Sequence, residues 1–490
     1  MANPTNAKDK NNSQGYKTQP LLFLRWLQPG TVKSREFKPR KSRSKKQKEV
    51  EEKKNSDDNS SSSSEQSEEI VKSTRFDLID LAGKDLNTLK WAFEYLHEFW
   101  YPKMLPLKYL HVKEYTHQVS PQTFQALSST PYYIQDAMVC MAIFQQRAKY
   151  KEGDAQSKAL LAKSLDARGR MLRSLSADLS DPEKRTGNMV IGGIFQLLYN
   201  DLARGISDGW RYHFAAAYKI MRLKGGLQAL AEKPETHLLV RAFLHAGVVG
   251  DTTSPPTEQA LAPQDTTHFE TFIDIVEDIG YVLTTYPAFF FVQTMRINQL
   301  RAMTADRIQW GLSPDPNART QAFSILNDIK SFSINETKGT PSPMTDSMLL
   351  GQSFKTALYI FCVLSLQSVS ILPSSNDDSD PLAHIVSYEA ETLAAIIENG
   401  LPNPKLKLLL LWHLTVLGVD AVNRGETRRD LVRRCAYDMY TYTGSYSVWH
   451  LKEVLETFWA SGKTRWDDCW DKPYLFSPAT NMDSSSLIPK

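Results

Sequence analysis

The sequence predicts an all-α fold: a large multi-helix domain behind a disordered N-terminal tail. Three observations carry the prediction. Beyond about residue 75, apolar residues recur at steps of three and four. The breaks between these segments hold helix-stopping punctuation, as in "TTSPPTEQ", "LSPDPN", "KGTPSPM", "LPSSNDDSD" and "GLPNP". No series of alternating apolar and polar runs divided by hairpin turns occurs, and no fixed-length repeat, so neither a β architecture nor a solenoid is expected.

Residues 1–72 form the expected tail. The acidic, Ser-rich stretch "NSDDNSSSSSEQSEE" has too little apolar surface to offset the entropy of ordering it, so it reads as a flexible tether whose serines, set among acids, suit phosphorylation. One apolar island, "PLLFLRWLQPG", interrupts the tail and ends in a Pro-Gly turn. Residues 73–475 form the expected helical domain, and residues 476–490 a flexible C-terminus.

Within the domain, "DLNTLKWAFEYLHEFW" opens with Asp85 as an N-cap candidate and places Leu89, Ala92, Phe93, Leu96 and Trp100 on one side. "TPYYIQDAMVCMAIFQQRAKYKEGD" follows, with Thr130 before Pro131 in the first turn. "KALLAKSLDARGRMLRSLSADL" is next. In "PEKRTGNMVIGGIFQLLYNDLA", the pair Gly192-Gly193 suggests a close helix crossing, because no strand and no phosphate-loop pattern surrounds it. Helical spacing returns in "HFETFIDIVEDIGYVLTTY", "NARTQAFSILNDIKSF", "PLAHIVSYEAETLAAIIEN", "KLKLLLLWHLTVLGVDAV", "TRRDLVRRCAYDMYTY" and "SVWHLKEVLETFWAS". The charge-free run Thr356–Pro373 approaches the length of a membrane span. It carries serines and a glutamine and lacks basic flanks, so it is expected as a buried core helix, with no membrane partner.

Composition narrows the class. The chain has ten Trp, twenty Tyr and twenty-one Phe, most of them after residue 75, which implies a substantial buried core. Its four cysteines, Cys140, Cys362, Cys435 and Cys469, are scattered and form no CxxC pair, so neither a disulfide framework nor a zinc site is expected and a reducing compartment fits. No apolar segment at the N-terminus resembles a signal peptide.

Charge is concentrated in one place. The formal net charge is only +3, yet nine basic residues, Lys33, Arg35, Lys38, Arg40, Lys41, Arg43, Lys45, Lys46 and Lys48, fall within sixteen positions beside a single acid, Glu36. Clustered Lys and Arg on an extended chain suit nuclear import, which is the leading reading. Non-specific contact with DNA phosphates and simple solubilising charge are the alternatives. Pro39 argues against a continuous recognition helix through the run.

Signs of catalysis are poor. No HExxH, phosphate loop or dinucleotide fingerprint is present. His213 and His413 read as core or capping histidines. The acids of "DDCWD" lack a histidine at metal-ligand spacing, and "TGSYS" lacks the second glycine of a nucleophile elbow. The four arginines of "TRRDLVRRC" read as a solvated helix face, with a partner-docking patch as the alternative. No cofactor and no metal is expected, and the chain is read as non-enzymatic.

The most informative helix is "SDGWRYHFAAAYKIMRLKGG". Asp208 is placed to cap it; Trp210, Phe214, Ala217 and Met221 share one face; the alanines at 215–217 suit a close neighbour; and Gly225-Gly226 supply a left-handed stop. On Trp210, His213, Ala217, Ile220, Met221, Gly225 and Gly226, this stretch resembles the signature helix of the fungal-specific transcription factor domain. Ala216 stands where that family often has Gly, and Lys224 where it has Arg. "LLLLWHLTVLGVDA" is similar to a second family segment at Trp412, Leu414, Gly418 and Ala421, with His413 in place of the usual Pro. "VLETFWASGKTRWDDCW" resembles the closing segment through Trp459 and Trp466. The resemblance spans roughly residues 85–470.

The resemblance implies a helical regulatory domain of the kind that usually follows a six-cysteine binuclear zinc cluster. No cysteine precedes Cys140, so the chain resembles members without that cluster, which open with a hydrophobic-Pro-Gly element and a basic run. It implies a nuclear transcription regulator whose partners are other transcription factors or a second copy of itself, with non-specific DNA contact through the tail. The rival readings are a cytoplasmic helical scaffold and a small-molecule-binding protein.

Overall fold

The computed structural model describes residues 86–96, 98, 121–151, 153–261, 288–334, 346–374, 381–407 and 409–477. The chain divides between Gln66 and Ser67, and every described residue belongs to the second unit. The tail expected over 1–72, the helix expected over 268–286, Asp85, Trp100 and residues 478–490 lie outside the described residues.

Among the described residues every regular element is a helix. In chain order these are α1 (Leu86–Tyr95), α2 (Pro121–Ser128), α3 (Tyr132–Arg147), α4 (Ala155–Ser180), α5 (Asn188–Ala203), α6 (Trp210–Leu223), α7 (Gly226–Ala231), α8 (His237–Thr252), α9 (Ala288–Gln309), α10 (Ala318–Ser331), α11 (Asp346–Ser368), α12 (Pro381–Gly400), α13 (Pro404–Lys407), α14 (Leu411–Asp420), α15 (Glu426–Thr443) and α16 (Tyr446–Ala460). Three short 3₁₀ turns, Pro234–Thr236, Ala421–Asn423 and Trp466–Cys469, join or close them.

One layer is built on α3, which packs against α1, α4 and α5, with α6 laid on α5. The other is built on α11, which packs against α9, α10, α12 and α14. Helix α8 touches α5, α6 and α7 on one side and α9 on the other, so it joins the two layers. Sequence character explains the split. Helices α3, α5, α8 and α14 are buried nearly all round, as expected of helices without a broad polar stripe, whereas α4, α10 and α15 bury a single face. The window Met348–Ser368 is long and apolar enough to cross a membrane, and 78% of it is buried inside the fold.

Glycine placement follows contact. A Cβ on Gly193 would lie 2.5 Å from Tyr133 Cδ2, so the close crossing of α3 and α5 requires glycine there. Gly225 and Gly226, at φ +101° and +84°, turn the chain sharply between α6 and α7, which only glycine does without strain.

Several local expectations are corrected. Asp208 does not cap α6: Gly209 occupies the cap position with no side-chain bond, and Asp208 pairs instead with Lys472 at 2.7 Å. The close of the chain offers Asp208 a charged partner, stronger than a backbone amide. Pro131 stands at the cap of α3 rather than inside its first turn, and the Thr130 hydroxyl donates back to Leu127 O. Of the three alanines in α6 only Ala217 is buried; Ala215 faces solvent. Phe476 and Ser477, expected in the flexible C-terminus, are buried.

Candidate functional site

Tryptophans from three distant segments meet at one short stretch, Gly250–Ser254, where α8 ends. Trp210, at the start of α6, lies flat against Gly250; a Cβ there would be 2.5 Å from its Cη2. Trp412 Nε1 donates to Thr252 Oγ1 at 3.2 Å, and Trp466 Nε1 donates to Thr252 O at 3.0 Å. The threonine hydroxyl in turn donates to Val249 O at 2.6 Å, so it uses both donor and acceptor capacity. Residues 250–254 are all buried.

Charge is threaded through the same point. Arg301, on α9, is 0% exposed. It donates to Asp251 O (2.9 Å), Ser254 O (3.0 Å) and Asp467 Oδ1 (2.5 Å). A buried guanidinium needs such partners, since an unpaired charge in an apolar interior costs several kcal/mol, roughly. The Asp251 carboxylate accepts from the amides of Ala260 (2.5 Å) and Leu261 (3.1 Å), and Arg211 on α6 holds the Glu258 and Gln259 carbonyls next to it. Burial pushes the Asp251 pKa up to about 6, against the opposing pull of those amides and arginines.

The chain's closing segment straps the hub shut. Tyr474 N donates to Thr253 O at 3.1 Å while Thr253 Oγ1 donates to Tyr474 O at 2.8 Å. Leu475 N donates to Ser207 O, and the Ser477 hydroxyl meets His245 Nε2 at 2.9 Å. The remaining motif residues sit close by. His213 Nε2 lies 3.1 Å from Asp201 Oδ2, and Arg168 donates to both oxygens of the same carboxylate, Nε to Oδ1 and Nη2 to Oδ2. Burial would raise the Asp201 pKa, but the His213 and Arg168 bonds outweigh it and hold the carboxyl below its ordinary value. Gly418 admits Leu455, whose Cδ1 would be 2.4 Å from an added Cβ, and its carbonyl accepts from Trp459 Nε1 at 2.9 Å. His413 is fully buried beside Phe354 with Nδ1 3.1 Å from Leu409 O, and burial pushes its pKa down to about 3.

The structure therefore brings Trp210, Trp412 and Trp466 together. Trp459 and Gly418 form an adjoining contact. His213 belongs to a separate ion cluster on α4, α5 and α6, and Gly225-Gly226 form a turn. The nine basic residues of 33–48 lie outside the described residues. Sequence reading missed the centre of the hub. In "HLLVRAFLHAGVVGDTTS" the polar side that carries Arg241 and His245 is itself buried, so periodicity does not separate inside from outside; an apolar helix ending in Asp-Thr-Thr-Ser was the available signal.

The arginines of "TRRDLVRRC" are neither a bare solvated face nor a free docking patch. Arg428 donates to Ala390 O and pairs with Glu391. Arg433 pairs with Glu456, Glu426 and Asp430 and lies over Trp459, and Arg429 covers the same ring. Only Arg434 is mostly exposed. Neighbouring carboxylates, several of them exposed, and a backbone carbonyl take up most of this charge.

Among the described residues no group of three His, Cys, Asp or Glu side chains converges as a metal site would require. The four cysteines are buried, and burial raises the thiol pKa of each, which suppresses nucleophilic character. One cleft of about 910 Å³ opens between α1, the α2–α3 turn and α4. Its wall includes Leu89, Thr130, Tyr132, Asp136, Arg170 and Arg173.

The described residues thus form an all-helical domain clamped by tryptophans onto a polar hub. The chain belongs to the fungal-specific transcription factor domain family, whose model matches residues 121–477, from α2 to the last residue of the strap. The class is that of a transcription regulator. The chain is also 27% identical over 478 residues to the phomenoic acid biosynthesis cluster-specific transcriptional regulator of Leptosphaeria maculans, covering 96% of this chain and 85% of that protein. No solved structure matches.

Proposed function

We propose that this protein is a nuclear, non-enzymatic transcription regulator that acts through protein contacts of its helical domain. One observation carries the reading: the family match covers the whole hub-bearing domain and ends where the strap ends. The relative's role in regulating a biosynthesis cluster points the same way. The partners are other transcription factors or a second copy of this chain, and no membrane is involved. The basic run over Lys33–Lys48 directs nuclear import and adds non-specific contact with DNA phosphates, which makes that contribution sensitive to salt.

Chromatin immunoprecipitation of the full chain and of a variant lacking residues 1–72 tests this. Occupancy at discrete genes is expected for the full chain and loss of it for the truncation. Absence of the full chain from chromatin would overturn the regulator reading. A reporter carrying residues 30–50 is expected in the nucleus; if it stays in the cytoplasm, the import role of the basic run is wrong.

A second reading, a domain that also takes up a small effector, is favoured by the cleft bounded by Arg173 and Tyr132. Its volume falls within the range of small-molecule sites, and apolar and hydroxyl groups line it together. Unchanged thermal stability across a panel of the host's small metabolites would count against it.

A further inference from the structure

The signature helix α6 has two faces, and the tryptophan hub uses only one. Trp210, Phe214, Ala217, Ile220 and Met221 are buried inward. The opposite stripe runs through Tyr212, Ala215, Lys219 and Leu223, at steps of three and four, and faces solvent. Tyr212 and Leu223 are 62% and 68% exposed, among the largest exposures of apolar side chains in the described residues. They stand about 16 Å apart along the axis at the ordinary helical rise. Most of the surface of both side chains therefore meets water rather than the domain.

Charge specifies what could cover them. Helix α6 carries Arg211, Lys219 and Arg222 and not one Asp or Glu. Lys224 follows directly, and its Nζ donates to Thr186 O. A second exposed apolar site, Ile308, Trp310 and Leu312 at the tip between α9 and α10, lacks this character, since Asp306 and Asp315 alternate there with Arg307 and Arg319. On α6 the apolar anchors are flanked by one sign only. A phosphate backbone would use the cations but leave Tyr212 and Leu223 uncovered. An amphipathic helix with apolar residues on one side and carboxylates beside them satisfies both.

Resting on the reading of the domain as a protein-contact module, we propose that the outer face of α6 is a docking surface for an acidic amphipathic helix of a partner protein. The partner's leucine-like side chains pack on Tyr212, Ala215 and Leu223, and its carboxylates meet Arg222, Lys219 and Lys224. The buried side of α6 holds this platform rigid, so docking needs no rearrangement of the hub. Position matters too. The docked helix would lie one helix diameter from Trp210, which sits against Gly250.

The test is a titration of the full chain into a fluorescein-labelled synthetic helix with leucines on one face and glutamates beside them, read by anisotropy. Saturable binding is expected, weakened about tenfold or more by Leu223→Glu and by Arg222→Glu separately. Replacing the peptide's leucines by alanine should weaken it similarly. Both substituted positions are exposed, so an unchanged thermal midpoint is expected and checks that the variants fold. No binding by the wild-type chain, or equal binding by both variants, overturns the proposal. Binding to duplex DNA that the same two variants abolish would mark a phosphate surface and also overturn it, as would a dimer that Leu223→Glu dissolves in the absence of peptide binding. The outcome is separable from that of the regulator reading. A chain found at genes whose peptide affinity ignores these substitutions loses only the surface, whereas a chain absent from chromatin that still binds the peptide loses only the nuclear role.

Discussion

Arg301 and Arg433 each hold an acid from another part of the chain, Asp467 and Glu456, but they do so in different media. Arg301 is wholly enclosed, bonded to Asp467 and to two carbonyls at the end of α8. Arg433 grips Glu456, Glu426 and Asp430 with 28% of its side chain open to water. Around Arg433 water can replace any partner that is lost. Around Arg301 nothing can, so the same residue type is a structural necessity in the hub and a dispensable ornament on α15. Contact number alone would have ranked them alike.

Removing each arginine sharpens that comparison. Arg301→Ala is expected to have the largest effect, a destabilisation of about 3–5 kcal/mol in urea unfolding, because the buried Asp251 and Ser254 carbonyls and the Asp467 carboxylate all lose their donor at once. A loss under about 1 kcal/mol would mean that water reaches the hub.

Acidification comes next. His245 and His413 are buried with pKa values pushed down to about 4 and about 3, chiefly by burial. Both take up protons more readily when unfolded, so their contribution is complete above the ordinary His value of about 6.5 and fades as the pH falls from there through their folded values. The slope is about 1.4 kcal/mol per pH unit for each. Asp251 acts in the opposite sense. Its raised pKa of about 6 favours the folded state below the ordinary Asp value, and that gain is lost as the pH rises through about 6. Asp136 and Asp420, raised by burial, act with Asp251, whereas Asp201 and Asp208, whose carboxyls are lowered, act with the histidines; the balance predicts a net loss of stability on mild acidification, which His413→Leu should make shallower. Denaturation midpoints measured across that pH range decide the matter; a midpoint that is flat in the wild-type chain would refute the balance.

Thr252→Val keeps the shape of the hub but removes the acceptor for Trp412 Nε1 and the donor to Val249 O. A cost of about 1–2 kcal/mol is expected in the same assay, with red-edge tryptophan emission altered. The smallest change should follow Arg433→Ala, within about 1 kcal/mol, since its pairs are exposed and its stacking on Trp459 is shared with Arg429. A large loss there would erase the distinction between hub and surface.

Local features were legible where one segment decides its own geometry. The inward face of α6 could be read from Trp210, Phe214, Ala217 and Met221, because helical spacing alone puts them on one side. Gly193 announced a close crossing, and the turn at Gly225-Gly226 needed only the left-handed preference of glycine. Failures came where a partner distant in sequence intervened. Lys472 takes Asp208 away from the helix it precedes, and Glu391 and Glu456 turn the α15 arginines inward. Helix α8 gave no periodic signal that separates inside from outside, because it is enclosed on all sides.

The sequence by itself determined that this chain is helical, which residues face inward on its amphipathic helices, and which family's motifs it carries. Those follow from spacing and from backbone preferences that act over a few residues. Only the tertiary structure decided that Trp210, Trp412 and Trp466 converge on the Gly250–Ser254 stretch, and that Arg301 rather than any motif residue carries the buried charge there. Hydrogen bonds and exclusion of water depend on which surfaces meet, and residues some two hundred positions apart reveal that only once the chain has folded.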